Sequence, residues 1–122
     1  MGSGAILTEV IKAAEQLASM DIDVTVFSVT SWSELARDGM AAQDKQAFIT
    51  QQLATSEGPI IAATDYVRAV PESIRAWLPE GRSYTTLGTD GFGRSDTRAA
   101  LRDFFGVDAA SVVKAALAAL GK

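Results

Sequence analysis

An α/β fold with a mainly parallel sheet flanked by helices in three layers is what this sequence predicts, and three observations carry the prediction. Short runs rich in β-branched, aliphatic and aromatic residues recur at Val24–Val29, Pro59–Ala63 and Tyr84–Leu87. Segments with apolar residues at helical spacing separate them. The last run opens into Leu87-Gly88-Thr89-Asp90-Gly91-Phe92-Gly93-Arg94-Ser95-Asp96, and a further helical segment follows. Strands that alternate with helices in this way join through right-handed crossovers.

The spacing of Ile6, Val10, Ala13, Ala14 and Leu17 predicts an amphipathic helix from Gly4 to about Met20, with Lys12, Glu15 and Gln16 left for solvent. Val24–Val29 offers apolar groups to both faces, the pattern of a buried parallel strand. Ser31 or Ser33 can cap a short helix through Leu35, Ala36 and Arg37, with Gly39 as its stop and Trp32 as a core or capping residue. A second helix is expected from Gln43 to Ala54, turning Phe48, Ile49 and Leu53 inward.

Ser56-Glu57-Gly58-Pro59 reads as a turn, and Pro59 is tolerated as the first residue of the strand it opens. The main helix is expected from about Val70 through Ile74 and Trp77 to Pro79, with Pro71 near its start. Glu80-Gly81-Arg82 then turns into the strand at Tyr84. Ser95 is placed to cap a helix over Asp96–Phe105, and Asp108 to cap an alanine-rich helix that reaches Leu120 and packs back on the sheet. No repeat or linker divides residues 1–122, so one domain is expected.

The loop at Leu87–Asp96 admits two readings. Its glycines permit backbone angles closed to other residues, which suits a plain structural turn. Successive backbone N–H groups next to a helix N-terminus also favour an anion, which suits a ligand or partner contact. Neither a dinucleotide fingerprint nor a phosphate loop is complete here. Arg94, Arg98 and Arg102 recur every four residues, so Arg98 and Arg102 share a helix face that is either solvated, paired within the chain or turned to an acidic partner.

Composition restricts the chemistry more sharply. The 122 residues include no cysteine and no histidine, which removes thiolate chemistry, disulfides and the commonest general base and metal ligand from this chain acting alone. A net charge of −4 argues against an overall nucleic-acid-binding surface, although six of the seven arginines fall between Arg68 and Arg102. No apolar run approaches the roughly 20 residues needed to cross a bilayer, and no secretory signal opens the chain. Absence of cysteine is compatible with the cytoplasm.

Three stretches carry a resemblance: Gly2–Val10, Ala62–Arg75 with its Thr64-Asp65-Tyr66, and Leu87–Asp108. In order and over nearly the whole chain they are similar to the C-terminal domain of the homodimeric, decarboxylating subunit of bacterial pyruvate dehydrogenase, a transketolase C-terminal-like domain. The resemblance implies a further leading strand that ends at Gly2-Ser3-Gly4. Those residues either begin a fragment inside its natural domain or match by coincidence. Gly39–Phe48 is shorter than in such relatives.

For function the resemblance implies a scaffold and dimer-interface domain of a larger enzyme. The parent would use thiamine diphosphate and Mg²⁺ to decarboxylate pyruvate and pass the two-carbon unit to a lipoyl group on the dihydrolipoyl acetyltransferase. Its cofactor would lie between other domains, so none is expected in this fragment. The contact surface is expected at Thr64, Asp65, Tyr66, Asp90, Gly91, Phe92, Gly93, Arg94, Ser95, Asp96 and Arg98, because loops at the carboxyl ends of parallel strands are where α/β sheets present contacts. The alternative is a standalone anion- or nucleotide-binding module. A hydrolase using Asp65 and Asp90 would require a separation between carboxylates that sequence does not give.

Overall fold

The computed structural model describes residues 1–42, 46–65, 67–88 and 108–121. Strand β1 (Ile60–Ala63) pairs in parallel with β2 (Tyr84–Leu87), Ile60 facing Tyr84 and Ala63 facing Leu87. On the other side of β1 lie residues 1–3. Gly2 bridges Ala63 on one flank and Ser28 on the other, both in the parallel sense. The lateral order is therefore 27–29, 1–3, β1, β2.

The expected strand over Val24–Val29 is not formed as a ladder, and this corrects the sequence reading. Gly2 N–H donates to the Phe27 carbonyl at 3.0 Å and the Gly2 carbonyl accepts from Val29 N–H at 2.9 Å, and the pairing ends there. Val24 and Val26 stand 43% and 36% exposed. β-branched residues favour an extended chain, but a ladder needs a facing backbone, and among the described residues only 1–3 face this one.

Period-two alternation along β1 sends Ile60 and Ala62 to one core and Ile61 and Ala63 to the other. The first core gathers Val29, Trp32, Ile49, Leu53, Ile74 and Tyr84, and the second Ile6, Val10, Leu17, Val112 and Val113. Two cores on opposite faces of one parallel sheet make the three layers, as expected from the alternation of elements.

Helix α1 (Leu7–Ala18) follows a 3-10 turn at Gly4–Ile6 and buries Val10, Ala13 and Leu17 as its spacing predicts. Helix α2 (Trp32–Ala41) starts at Ser31, whose hydroxyl accepts from Glu34 N–H at 3.2 Å. Gly39 does not stop it. The helix runs through Gly39, and a side chain there would collide with Trp77, its Cβ falling 2.2 Å from the indole. This glycine serves packing between elements.

Helix α3 (Phe48–Leu53) buries Ile49 and Leu53, while Phe48 points outward at 53% exposure, against expectation. Phe48 is the first helical residue, held by its N–H on the Asp38 carboxylate at 2.6 Å. At the other end Arg82 donates to the carbonyls of Leu53 and Gly58, both at 2.7 Å, and of Ser56 at 3.1 Å. One guanidinium thus ties the end of α3 to the turn that leads into β1.

The long helix expected from Val70 to Pro79 is instead a short helix α4 (Ala69–Glu72) and a 3-10 turn at Arg75–Trp77. Ile74 interrupts it at φ −101° and ψ 1°, outside helical geometry, with its side chain wholly buried. Core burial of Ile74 outweighs continuation of the helix. The Thr50 hydroxyl bonds the Trp77 carbonyl and ties α3 to this turn.

Helix α5 (Ala109–Ala119) is capped by Asp108, whose carboxylate accepts from Ser111 N–H at 2.9 Å. It packs on α1 and β1. Burial is concentrated at Ala109, Val112 and Val113, and Leu120 at its end is exposed. The helix expected over Asp96–Phe105 lies outside the described residues.

Candidate functional site

Parallel strands deliver their carboxyl ends to one edge, where Ser3, Thr64 and Gly88 follow Gly2, β1 and β2. Ser3 donates to the Thr64 hydroxyl at 3.0 Å and accepts from Trp32 Nε1 at 2.9 Å. All three residues are buried. Thr64 N–H continues the sheet by donating to the Leu87 carbonyl at 3.0 Å. The expectation of Trp32 as a core residue holds, and its one polar atom has a specific partner.

Asp65 follows in the open at this edge. Its carboxylate sits over Gly4, where an added Cβ would lie 3.0 Å and 3.2 Å from the two oxygens. Gly4 adopts φ +59°, so the absent side chain meets both a backbone and a space requirement. This places a negative charge at the beginning of the 3-10 turn and α1, where the exposed N–H groups favour it.

A second polar cluster ties α4 to β2. Glu72 accepts a bidentate pair from Arg75, Nε at 2.6 Å and Nη2 at 2.9 Å, and a third bond from the Thr86 hydroxyl at 2.7 Å. Arg68 Nε donates to that hydroxyl at 3.3 Å. Arg75 also donates to the Tyr84 carbonyl at 3.0 Å, and its guanidinium lies 4.9 Å from the centre of the Tyr84 ring.

Arg75 donation holds the Glu72 carboxyl down at about 2, against the opposing effect of burial. Burial raises the Tyr84 phenol, whose hydroxyl donates to the Pro71 carbonyl at 2.7 Å. Sequence reasoning singled out none of Glu72, Arg75, Tyr84 and Thr86 as a group. The available signals were the i, i+3 spacing of Glu72 and Arg75 and the shared strand face of Tyr84 and Thr86.

Of the contact residues expected from sequence, the structure brings Thr64 and Asp65 to the edge that carries Ser3. Tyr66, Asp90, Gly91, Phe92, Gly93, Arg94, Ser95, Asp96 and Arg98 lie outside the described residues. The described part of this edge does not suit a diphosphate with its cation. Ser3 and Thr64 are engaged with each other, and no group of three or more Asp or Glu side chains among the described residues could hold a metal ion.

A parallel sheet between two helical layers, with polar groups gathered at its carboxyl edge, defines a three-layer α/β domain. The family model for the transketolase-like C-terminal domain matches residues 1–108, and the chain belongs to that family. More particularly, it is similar to the C-terminal region of pyruvate dehydrogenase E1 components. It is 47% identical to that of Mycolicibacterium smegmatis over 133 residues, covering all of this chain and 14% of the relative. Identity to the Mycobacterium tuberculosis protein is 47% over 131 residues, covering 98% of this chain and 14% of the relative.

The Escherichia coli K12 component is 43% identical over 133 residues, covering the whole chain and 15% of its own length. The chain thus spans about one seventh of these relatives. Alignments of 131–133 residues exceed the 122 of the chain, so the relatives carry residues that this sequence lacks.

Proposed function

We propose that this chain is one domain, a scaffold and dimer-interface element in a thiamine diphosphate-dependent, decarboxylating pyruvate dehydrogenase subunit. The observation that carries the proposal is the similarity to E1 components, which runs through the entire chain at up to 47% identity. The composition agrees with a supporting role, since without histidine or cysteine the domain contributes neither of the commonest catalytic bases or nucleophiles.

In this reading the parent decarboxylates pyruvate and transfers the acetyl group to the lipoyl groups of the dihydrolipoyl acetyltransferase. Thiamine diphosphate and Mg²⁺ supply the carbanion chemistry from a site formed by other domains. This domain supplies rigidity and a contact surface for the remaining domains and the second subunit, and the residues assigned to that surface include Asp65, Asp90 and Arg94. The parent is a cytoplasmic enzyme at the exit of glycolysis. No helix among the described residues is long and apolar enough to cross a membrane.

The test compares two materials. In the full-length subunit, Asp90→Ala and Arg94→Ala are expected to shift sedimentation from dimer towards monomer and to lower pyruvate-dependent activity, while the melting temperature of the 122-residue domain stays unchanged. Equal melting losses in the isolated domain would reject the interface role. An immunoblot band near the size of this chain alone, with saturable phosphate or nucleotide binding, would move the reading to a standalone anion-binding module.

A further inference from the structure

Among the described residues, β2 has a neighbouring strand on one side only. Ile60 N–H donates to the Ser83 carbonyl at 2.9 Å and Thr64 N–H to the Leu87 carbonyl at 3.0 Å, so residues 83, 85 and 87 turn their backbone groups to β1. Alternation along the strand turns those of Tyr84 and Thr86 the other way, to the outer flank of the sheet. Such a flank is a template for another strand. Tyr84, Thr85, Thr86 and Leu87 favour extended pairing and carry no charge that would deter it.

Charged side chains from α4 and the 3-10 turn after it reach that flank. Arg75 Nη2 donates to the Tyr84 carbonyl at 3.0 Å and so takes an outward acceptor that a further strand would use. The same guanidinium is fixed from two more directions. Glu72 accepts from its Nε at 2.6 Å and its Nη2 at 2.9 Å, and the Tyr84 ring centre lies 4.9 Å away. Glu72 is anchored to the strand in turn, by the Thr86 hydroxyl at 2.7 Å. Tyr84 and Thr86 are accordingly only 7% and 3% exposed, while half of the Arg75 side chain still faces solvent.

We infer that Arg75 is an edge guard: held by Glu72 over the outward Tyr84 carbonyl, it keeps β2 from pairing with the β2 of a second copy. A second copy is the partner to be excluded because a two-fold axis beside the sheet sets the same uncharged strand against itself, antiparallel, with outward groups facing outward groups. The guard works against that approach in two ways. It occupies the carbonyl, and it brings the guanidinium groups of the two copies towards each other. The inference does not rest on the proposed function, whose contact residues follow the carboxyl ends of the strands and not this flank.

The test compares the unchanged chain with Arg75→Ala and with Arg75→Lys, which keeps the charge but cannot bond the carboxylate at two points and the carbonyl together. Sedimentation velocity over a concentration series, circular dichroism and amide exchange are measured on each. Arg75→Ala is expected to raise the mean mass about twofold over the unchanged chain at equal concentration, and to slow exchange at Tyr84 and Thr86 N–H by about tenfold in the associated species. Arg75→Lys is expected to fall between the two. A folded Arg75→Ala chain with unchanged mass would overturn the inference, as would association that leaves both amides exchanging as before. If Arg75→Ala alone loses the folded spectrum, Arg75→Lys decides by the same mass and exchange readings. Loss of the folded spectrum in both variants would overturn the inference, since it would make Arg75 a requirement of the fold and not a guard on a formed edge.

Discussion

The indole N–H of Trp32 donates to the hydroxyl of Ser3 at 2.9 Å across 29 positions of sequence. Ser3 in turn donates to Thr64, so one buried hydroxyl links the residue after Gly2, the first residue of α2 and the end of β1. Ser3→Ala would leave a buried indole N–H without its acceptor, which costs about 1–3 kcal/mol. Urea unfolding is expected to show that loss. The double variant Ser3→Ala with Trp32→Phe should lose less than the sum of the two single changes, because the orphaned donor is gone.

Gly39→Ala tests whether the glycine inside α2 is there for packing. Alanine is the better helix former, so propensity alone predicts a gain of roughly 0.5–1 kcal/mol. Its Cβ would fall 2.2, 2.4 and 2.7 Å from three ring atoms of Trp77, and overpacking of that kind costs roughly 1–3 kcal/mol. Net destabilisation in chemical denaturation is the expected result, with recovery on adding Trp77→Leu.

Acid stability depends on Glu72. Arg75 lowers its pKa in the folded chain from 4.5 to about 2, so the unfolded chain binds the proton more tightly in this range. The contribution is fully present above pH 4.5 and is lost as pH falls towards 2. Glu72→Gln is expected to flatten the pH dependence of the melting temperature in that interval alone. An unchanged acid limb would remove Glu72 from the account.

The amino group of Met1 acts in a different interval. Burial lowers its pKa from 8.0 to about 5, because the charged form gives up its hydration. Between those values the unfolded chain holds more protons than the folded one, so stability rises as pH increases from about 5 to 8. Nα-acetylation, which removes the titration, is expected to abolish the rise. Persistence of the slope in the acetylated chain would assign it to another group.

Most of the helix starts and both ladder strands were legible in the sequence, because each rests on local signals. Ser31 and Asp108 accept from the N–H groups expected of caps, and the turns at Gly58 and Gly81 adopt the positive φ that glycine permits. The expected contact edge was legible in part: Thr64 and Asp65 lie there, but their partners Ser3, Gly4 and Trp32 are distant in sequence. The cluster around Glu72 escaped for the same reason, since Thr86 and Tyr84 reach it only through the packing of α4 on β2.

By itself, then, the sequence determined the alternation of strands and helices, their caps and turns, and the exclusion of histidine and cysteine chemistry. Apolar periodicity, backbone preference and composition act over a few residues and need no fold to be read. Tertiary structure alone decided that 24–29 forms no ladder, that α2 passes through Gly39, and that the helix around Pro71 breaks at Ile74. At Gly39 and Ile74 a contact between distant segments outweighed local preference. Among the described residues no backbone pairs with Val24–Val26, the indole of Trp77 claimed the space beside Gly39, and burial of Ile74 fixed the chain outside helical angles.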